Sequence, residues 1–386
     1  MGMNITPWSM RYSGKHLEMY RSIQKRDILG SRCSTGMRLK LLRGRNPIEG
    51  CVSMERFRMK RFMAVLVVTL LMSSSAVMAK TIIRAATANP PGSLHAAGLE
   101  KFKELVEMRS GGEMVVRLYL DGQMGSEQKN VKQVGSGQLQ VAVMASGNVS
   151  PFSPKVGLLT LPYIFPNIED AYTLFRSDFM DDMADDIAKE GNVRPLAWLV
   201  GGYRVLTNSK QPITKLADLQ GVNVRVPKVE TMLAAYKAWG IEGYPMAWIE
   251  VYDGLQQGVI DGQDNPHLVN VDQEFWGVQR YITDLHYMLW TGPIIVSENW
   301  FKKLPAYKQA LIRQAALDAA EYQWQWVAAK EASALAKCQE MGMEFSELED
   351  EELWIEKAKS IWPQFYDKVG GKAYVDQALS IMNRNR

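Results

Sequence analysis

The chain has 386 residues, of which 47% are hydrophobic and 23% charged, and a formal net charge of +3 at pH 7. The charge is distributed unevenly. Residues 1–61 hold fourteen Lys and Arg but four Asp and Glu, so residues 62–386 keep 31 basic and 38 acidic side chains, a formal net charge of −7. A nucleic-acid-binding domain needs a positive stripe. We therefore expect no nucleic-acid partner for the acidic part of the chain.

Residues 1–53 show no apolar period that lasts beyond a turn, and we predict that they are disordered. Our interpretation is that this segment lies upstream of the true start, which would be Met54 or Met59. The alternative for so basic a segment is an arm that binds nucleic acid.

Residues 54–79 have the order of a secretory signal peptide. Four basic side chains precede an uncharged stretch at 62–79 and are Arg56, Arg58, Lys60 and Arg61. Small residues at Val77 and Ala79 predict cleavage before Lys80. The apolar core is shorter than the roughly 20 residues of a membrane-spanning helix, although an N-terminal membrane anchor remains the alternative. Export places the mature protein outside the cytoplasm, where there is no ATP.

The mature chain of 307 residues keeps one cysteine, Cys338, so no intramolecular disulfide can form. A chain of this length must instead bury a large hydrophobic core, and its size favours two lobes over one.

The elements alternate between strand and helix from Lys80 onward. We predict strands at 81–88, 114–120 and 139–145, and helices that start near Leu99 and at 126–134. Further strands are predicted at 195–200, 203–207 and 222–226, followed by a helix at 230–239. One long helix is predicted from Pro305 to about Met341. This pattern predicts an α/β fold with a mostly parallel sheet in each of two lobes. Because no Gly- or Ser-rich linker is present, we expect the chain to cross between the lobes more than once.

The sequence has no motif for nucleophilic, phosphoryl-transfer, metal or dinucleotide chemistry. The mature chain has three histidines, His95, His267 and His286, and none has metal-ligand spacing to another. His95 lies at the start of the first helix, where it could face a ligand or serve as a cap or surface residue. His267 and His286 are interpreted as structural. We therefore predict no enzyme activity, no cofactor and no metal site.

Arginine gives a more specific prediction. In the segment GVNVRVP at 221–227, Arg225 lies near the end of a strand that Pro227 terminates. In open α/β sheets ligands bind at this edge, and a guanidinium there can hold a carboxylate with two parallel hydrogen bonds. The alternative is an exposed strand arginine. Arg204 and Asn265 are weaker candidates on pattern alone, since Asn265 lies in a segment with turn composition.

Several motifs follow one another in a fixed order along the chain. They are GQMG at 122–125, LP at 161–162, GGYR at 201–204, LADLQG at 216–221, VRVP at 224–227, YPM at 244–246, EVY at 250–252, LQQGVIDGQ at 255–263 and NP at 265–266. In this combination residues 80–386 resemble the periplasmic solute-binding proteins of tripartite ATP-independent (TRAP) transporters, of the C4-dicarboxylate-binding type. Nothing before Met54 contributes to the resemblance.

The resemblance implies two α/β lobes, joined by hinge segments, that close over one organic acid. We expect lobe I at 80–202 and about 291–330, and lobe II at 203–290 and about 331–386. The protein would deliver its ligand in the periplasm to integral-membrane TRAP permease subunits that use an ion gradient, usually sodium.

The resemblance also assigns ligand-binding residues. Arg225 matches the family's carboxylate-binding arginine, and Arg204 and Asn265 match a second arginine and an asparagine of the cleft. The predicted set is completed by Trp248, where relatives often have Phe, by His95, and by Ser146, near a specificity position at 145–146. Sialic-acid binders carry an acid at that position, so we do not expect sialic acid as the ligand. Trp248 has an alternative reading as core of the hinge region.

Two other functions stay open at this stage. One is the binding protein of an ATP-driven importer. The other is an exported enzyme acting on a carboxylated sugar, which would need a general base in the cleft. The sequence does not select among dicarboxylates, uronic or aldonic acids, 2-oxo acids and sulfonates.

Overall fold

The computed structural model describes residues 80–383. The predictions of a disordered segment at 1–53 and a signal peptide at 54–79 lie outside the described residues. Within 80–383 the only cysteine, Cys338, is buried and free. No helix of this part of the chain is long and apolar enough to cross a membrane.

The described chain forms an α/β fold. Its strands are β1 Thr81–Ala86, β2 Met114–Tyr119, β3 Val141–Val143, β4 Val193–Tyr203, β5 Val205–Asn208, β6 Val224–Val226, β7 Tyr244–Pro245, β8 Gly262–Asn265, β9 Tyr281–Thr283, β10 Leu289–Ser297 and β11 Glu344–Ser346. Its α-helices are α1 Leu94–Arg109, α2 Glu127–Ser136, α3 Ile168–Phe175, α4 Asp178–Gly191, α5 Glu230–Ala238, α6 Val251–Gln256, α7 His267–Asp272, α8 Glu298–Lys302, α9 Ala306–Glu340, α10 Glu351–Lys359, α11 Trp362–Phe365 and α12 Lys372–Met382.

The strands form two sheets, each the centre of one half of the protein. The five-stranded sheet has the order β2-β1-β3-β10-β4, and the six-stranded sheet has the order β11-β9-β5-β8-β6-β7. The prediction of mostly parallel sheets agrees with this arrangement, except that one strand in each sheet runs opposite to the others. β10 runs antiparallel to both β3 and β4, and β5 runs antiparallel to both β8 and β9. The cause is the chain path, because β10 enters the first sheet from the other half and not from a βαβ crossover.

The chain passes between the two sheets three times. It leaves the five-stranded sheet after β4, returns after β9, and leaves again along α9, which precedes β11. Repeated crossings explain why the sequence has no linker. The exact lobe limits at 202/203, 290/291 and 330/331 stay a prediction.

The long helix α9 packs closely on the first half because its inner face carries small residues. Four alanines of this face are buried, namely Ala315, Ala316, Ala319 and Ala320. The buried polar side chain Gln323 on this helix forms two hydrogen bonds with the backbone of β4. Its Oε1 accepts from Val200 N at 3.2 Å and its Nε2 donates to Val200 O at 2.7 Å. The amide thus satisfies both backbone groups of a strand residue at the start of the crossing.

Candidate functional site

A small cavity lies between the two halves, and we call it the main cavity. Its volume is about 30 Å³, enough for about two water molecules. It is lined by Asn89, His95, Glu127, Ala145, Asn148, Arg204, Arg225, Pro227, Trp248, Asn265, Val269 and Trp290. The structure therefore brings five of the six predicted residues to one place, from segments as far apart as α1 and β8.

Arg225 lies on β6 and its side chain is buried, with 3% of the residue exposed. The alternative of an exposed strand arginine is therefore wrong. Its Nε and Nη2 donate to the carbonyl oxygen of Met246 at 3.0 and 2.9 Å, so neither contact uses Nη1. The guanidinium lies 5.8 Å from the ring centre of Trp248. Burial, followed by the neighbouring Arg204, lowers the pKa of Arg225 to about 10, and the group stays charged at neutral pH.

Arg204 follows β4, at the first crossing between the sheets, and it is paired. Its Nη2 donates to Asp264 O at 2.5 Å and to Asp264 Oδ1 at 3.1 Å, and both side chains are buried. The other carboxylate oxygen of Asp264 accepts from the Tyr287 hydroxyl. Burial opposes the charge on Arg204, but Asp264 outweighs it, and the pKa of Arg204 lies above its ordinary value. The charge of Arg204 is compensated inside the protein, while Arg225 makes no ion pair among the described residues.

His95 contributes a neutral imidazole. It is the second residue of α1, whose N-cap is Ser93, and its ring packs edge-on against Trp290 with 4.5 Å between ring centres. Burial, and then the Arg204 guanidinium, lower the pKa of His95 to about 3. A neutral imidazole offers one donor and one acceptor. Its Nδ1 is buried without a hydrogen-bond partner, as is the Nε of Arg204.

Glu127 is a cavity residue that the sequence analysis missed. It occupies the first turn of α2, after the N-cap Ser126, where an acid is ordinarily explained by the helix dipole. Its carboxylate accepts from Ala145 N at 3.4 Å and from the side-chain amide of Asn148. Burial raises the pKa of Glu127 to about 7, against the effect of these hydrogen bonds and of the two arginines. No sequence signal distinguishes this glutamate from a helix-starting acid.

The other predicted residues differ in their surroundings. Asn265 ends β8 and its Nδ2 donates to Gln263 Oε1 at 2.6 Å. Trp248 is half-buried and meets Phe275 edge-on, with 6.1 Å between ring centres, so it is both a cavity wall and part of a small apolar cluster. Ser146 does not line the main cavity. It lines a second, adjoining cavity instead.

The two halves touch around the main cavity, so the structure shows a closed arrangement. Gln128 Nε2 donates to Lys228 O at 3.4 Å, and the hydroxyls of Thr160 and Thr231 are 2.7 Å apart. At Gly147 the backbone approaches Val229 so closely that a Cβ atom would lie 2.7 Å from a valine methyl. A ligand larger than two water molecules therefore needs the halves to separate before it can reach Arg225.

His267 and His286 lie outside the main cavity. His286 pairs with Asp284 at 2.8 Å, a contact that raises its pKa, and burial lowers the pKa of His267 to about 4. Within residues 80–383 no three His, Cys, Asp or Glu side chains are placed to hold a metal ion.

The comparisons with known proteins agree on one family. The model of the bacterial extracellular solute-binding proteins, family 7, matches residues 85–369. The 2,3-diketo-L-gulonate-binding periplasmic protein YiaO of Escherichia coli (strain K12) is 29% identical over 246 residues, which are 64% of this chain and 74% of that protein.

Solved structures of similar proteins match 79–80% of this chain. A TRAP periplasmic solute-binding protein from Rhodobacter sphaeroides, in an apo open form, is 33% identical with a TM-score of 0.67, over 80% of this chain and 100% of that chain. One from Bordetella bronchispeptica, with density assigned to pantoate, is 27% identical with a TM-score of 0.74. The match covers 79% of this chain and 99% of that chain.

The chain therefore belongs to the bacterial extracellular solute-binding protein family 7. Within it, this protein is a solute-binding protein of the TRAP type, with the two-lobed α/β fold expected from its sequence. The family and fold predictions are confirmed.

Proposed function

We propose that this protein captures a small organic acid anion in the periplasm and delivers it to the integral-membrane subunits of a TRAP transporter. The observation that carries the proposal is the charge of Arg225. It is a buried cation whose recorded hydrogen bonds go to a neutral carbonyl group. A buried charge is costly without a counter-charge, and a ligand carboxylate would supply one.

The unpaired polar atoms of the main cavity indicate what else the ligand carries. The Nε of Arg204 needs an acceptor, and the Nδ1 of His95 also lacks a partner. Glu127, with its pKa raised to about 7, exchanges readily between acceptor and donor forms at neutral pH. A carboxylate with hydroxyl or oxo groups would satisfy these atoms. The relatives support an anion, since the E. coli protein is named for 2,3-diketo-L-gulonate and the Bordetella protein was assigned pantoate.

The expectation that the ligand is not sialic acid stays a prediction. It depended on the lack of an acid at 145–146, whereas Glu127 brings a carboxyl group to the same cavity from α2.

Binding is a two-state process in which the ligand favours the closed form because it contacts both halves only there. His95 lies on α1, beside the five-stranded sheet, while Arg225 and Asn265 lie on the six-stranded sheet, and Arg204 lies at the crossing between β4 and β5. No catalytic step is required. Relatives of this chain are solute-binding proteins, and we propose the same role without turnover here.

Export is part of the proposal. Cleavage before Lys80 would give a mature N-terminus of KTIIRA, and N-terminal sequencing of the native protein should read that sequence. An N-terminus at Met1, or a protein retained in the membrane fraction, would contradict cleavage.

We expect uptake to depend on an ion gradient and not on ATP. The ligand is first identified by mass spectrometry of the acid released from the purified protein. Vesicles that contain the cognate permease should then accumulate that acid when a sodium or proton gradient is applied and this protein is present. The Arg225→Ala protein serves as the matched control and should support little uptake. ATP-dependent uptake, or chemical conversion of the acid by the pure protein, would contradict the proposal.

A further inference from the structure

A second cavity of about 20 Å³ adjoins the main cavity, and we call it the side cavity. The two cavities share the wall residues Ala145, Asn148, Arg204, Pro227 and Trp290. A ligand held by Arg225 in the main cavity therefore has one neighbouring space into which it can extend. The chemistry of that space limits what the extending part of the ligand can be.

The side chains found only in the side cavity are largely apolar. Five of them are buried hydrophobic groups, namely Leu159, Val229, Met232, Met288 and Leu289. Burying apolar ligand surface against such groups is favourable in proportion to the area removed from water.

The hydroxyl groups in the wall of the side cavity already have hydrogen-bond partners within the protein. Ser146 Oγ donates to Thr291 O at 2.9 Å and lies 2.8 Å from Thr291 Oγ1. Thr160 Oγ1 donates to Gly157 O at 2.9 Å and lies 2.7 Å from Thr231 Oγ1. The orphaned Nδ1 of His95 belongs to the main cavity alone. Arg204, whose Nε also lacks a partner, lies in the wall that both cavities share. The two spaces differ in their remaining groups, because His95 Nδ1 lacks a partner in the main cavity, whereas the hydroxyls found only in the side cavity have partners.

Trp290, in the wall that the two cavities share, packs closely against two glycines. A Cβ atom at Gly292 would lie 2.4 Å from the Trp290 ring, and one at Gly201 would lie 2.9 Å from it. The indole thus fills the space that two absent side chains leave. It cannot shift toward either backbone to let a bulky hydrated group into the side cavity.

We propose that the ligand is a short carboxylic acid with a hydroxyl or oxo group near its carboxylate and a small apolar end, such as a branched alkyl group, that occupies the side cavity. The inference rests on the proposed function and narrows it. It excludes acids that are hydroxylated along their whole length, because their distal hydroxyls would face paired groups and hydrocarbon.

The test compares two acids of equal size. In 2-hydroxy-3-methylbutanoate and 2,3-dihydroxybutanoate the sole difference is one methyl group replaced by a hydroxyl. Isothermal titration of the full-length mature protein with each should show the methyl compound binding about 10- to 100-fold more tightly, the range over which an apolar pocket discriminates a hydroxyl from its isostere. The two acids are compared at the same configuration of C2, and the C3 diastereomers of 2,3-dihydroxybutanoate are measured separately.

A matched pair of variants locates the discrimination. Met232 and Met180 are both helical and both 3% exposed, but only Met232 lines the side cavity. Met232→Gln should reduce the affinity ratio of the two acids at least threefold, and Met180→Gln should leave the ratio unchanged. If Met232→Gln does not fold, the ratio measured on the wild type decides by itself.

Equal affinity for the two acids, or preference for the dihydroxy acid, overturns the inference and leaves the proposed function intact. An equal change of the ratio in both methionine variants overturns it too. If neither acid binds but a sugar acid such as glucuronate does, the inference again fails alone. If no carboxylate binds, the proposed function fails with it.

Discussion

Replacement of Arg225 by alanine should weaken binding of the organic acid at least about a hundredfold. A hydrogen bond to a charged group contributes about 1.5–3 kcal/mol, and leaving a charge unpaired in a closed cleft costs about 3–5 kcal/mol. Because each ~1.4 kcal/mol corresponds to a factor of ten, the sum exceeds two orders of magnitude. Arg225→Lys should also bind poorly. An ammonium group lacks the planar set of donors with which a guanidinium can hold Met246 O and a carboxylate at the same time.

Calorimetry measures this effect directly, and thermal melting checks it independently. Ligand at ~100 times its dissociation constant should stabilise the wild type by about 2.7 kcal/mol, a shift that should be small or absent in Arg225→Ala. Arg280→Ala is the matched control, because Arg280 is exposed and pairs with Glu344 at the surface. If Arg225→Ala folds and binds within about threefold of the wild type, Arg225 is not the anchor.

Asp264→Asn should produce the largest loss of stability of any single neutralisation in the site. The substitution keeps the shape of the side chain but leaves the buried guanidinium of Arg204 without its counter-charge. Removal of one partner of a buried ion pair costs about 3–5 kcal/mol. Urea denaturation at neutral pH should show this decrease in the free energy of unfolding. The prediction concerns stability alone and does not depend on a change in ligand affinity.

The surface pair Lys372–Asp376 provides the comparison. Both side chains are more than half exposed, and pairs of this kind contribute about 0–1 kcal/mol. Asp376→Asn should therefore change the free energy of unfolding by less than about 1 kcal/mol. If the two variants were equally stable, Asp264 would not compensate Arg204 in the way the geometry indicates.

The structure contains one long strand, β10, that the sequence did not predict. β10 contains Gly292 and Pro293, two residues that usually mark a turn, yet it is an interior strand of the five-stranded sheet, between β3 and β4. The strand pairing has a register shift near Thr291. Gly292 is needed because a Cβ atom there would lie 2.4 Å from the Trp290 ring and 2.5 Å from Met144 O. A local pattern cannot reveal this, since the glycine is required by the position of the Trp290 ring and by the backbone of Met144, which is distant in the sequence.

Local patterns determined the elements whose signals are local. The run from Pro305 to about Met341 without glycine predicted the long helix, which the structure has as α9, and Pro227 predicted the end of β6. The ordered motifs predicted the family, and the pattern around Arg225 selected the arginine of the main cavity that makes no ion pair among the described residues. These features follow from periodicity, turn chemistry and residue type, all of which are present in the sequence itself.

The tertiary structure decided the direction of the strands, the pairing of charges and the shape of the site. The sequence ranks Arg225 above Arg204 but does not show how either is paired. In the structure Asp264 forms an ion pair with Arg204, whereas the hydrogen bonds of Arg225 go to a backbone carbonyl. The sequence likewise gives Glu127 the appearance of an ordinary helix-starting acid, whereas in the structure Glu127 lines the main cavity. Only the tertiary structure decides this, because pKa values and hydrogen-bond partners depend on groups that lie far apart along the chain.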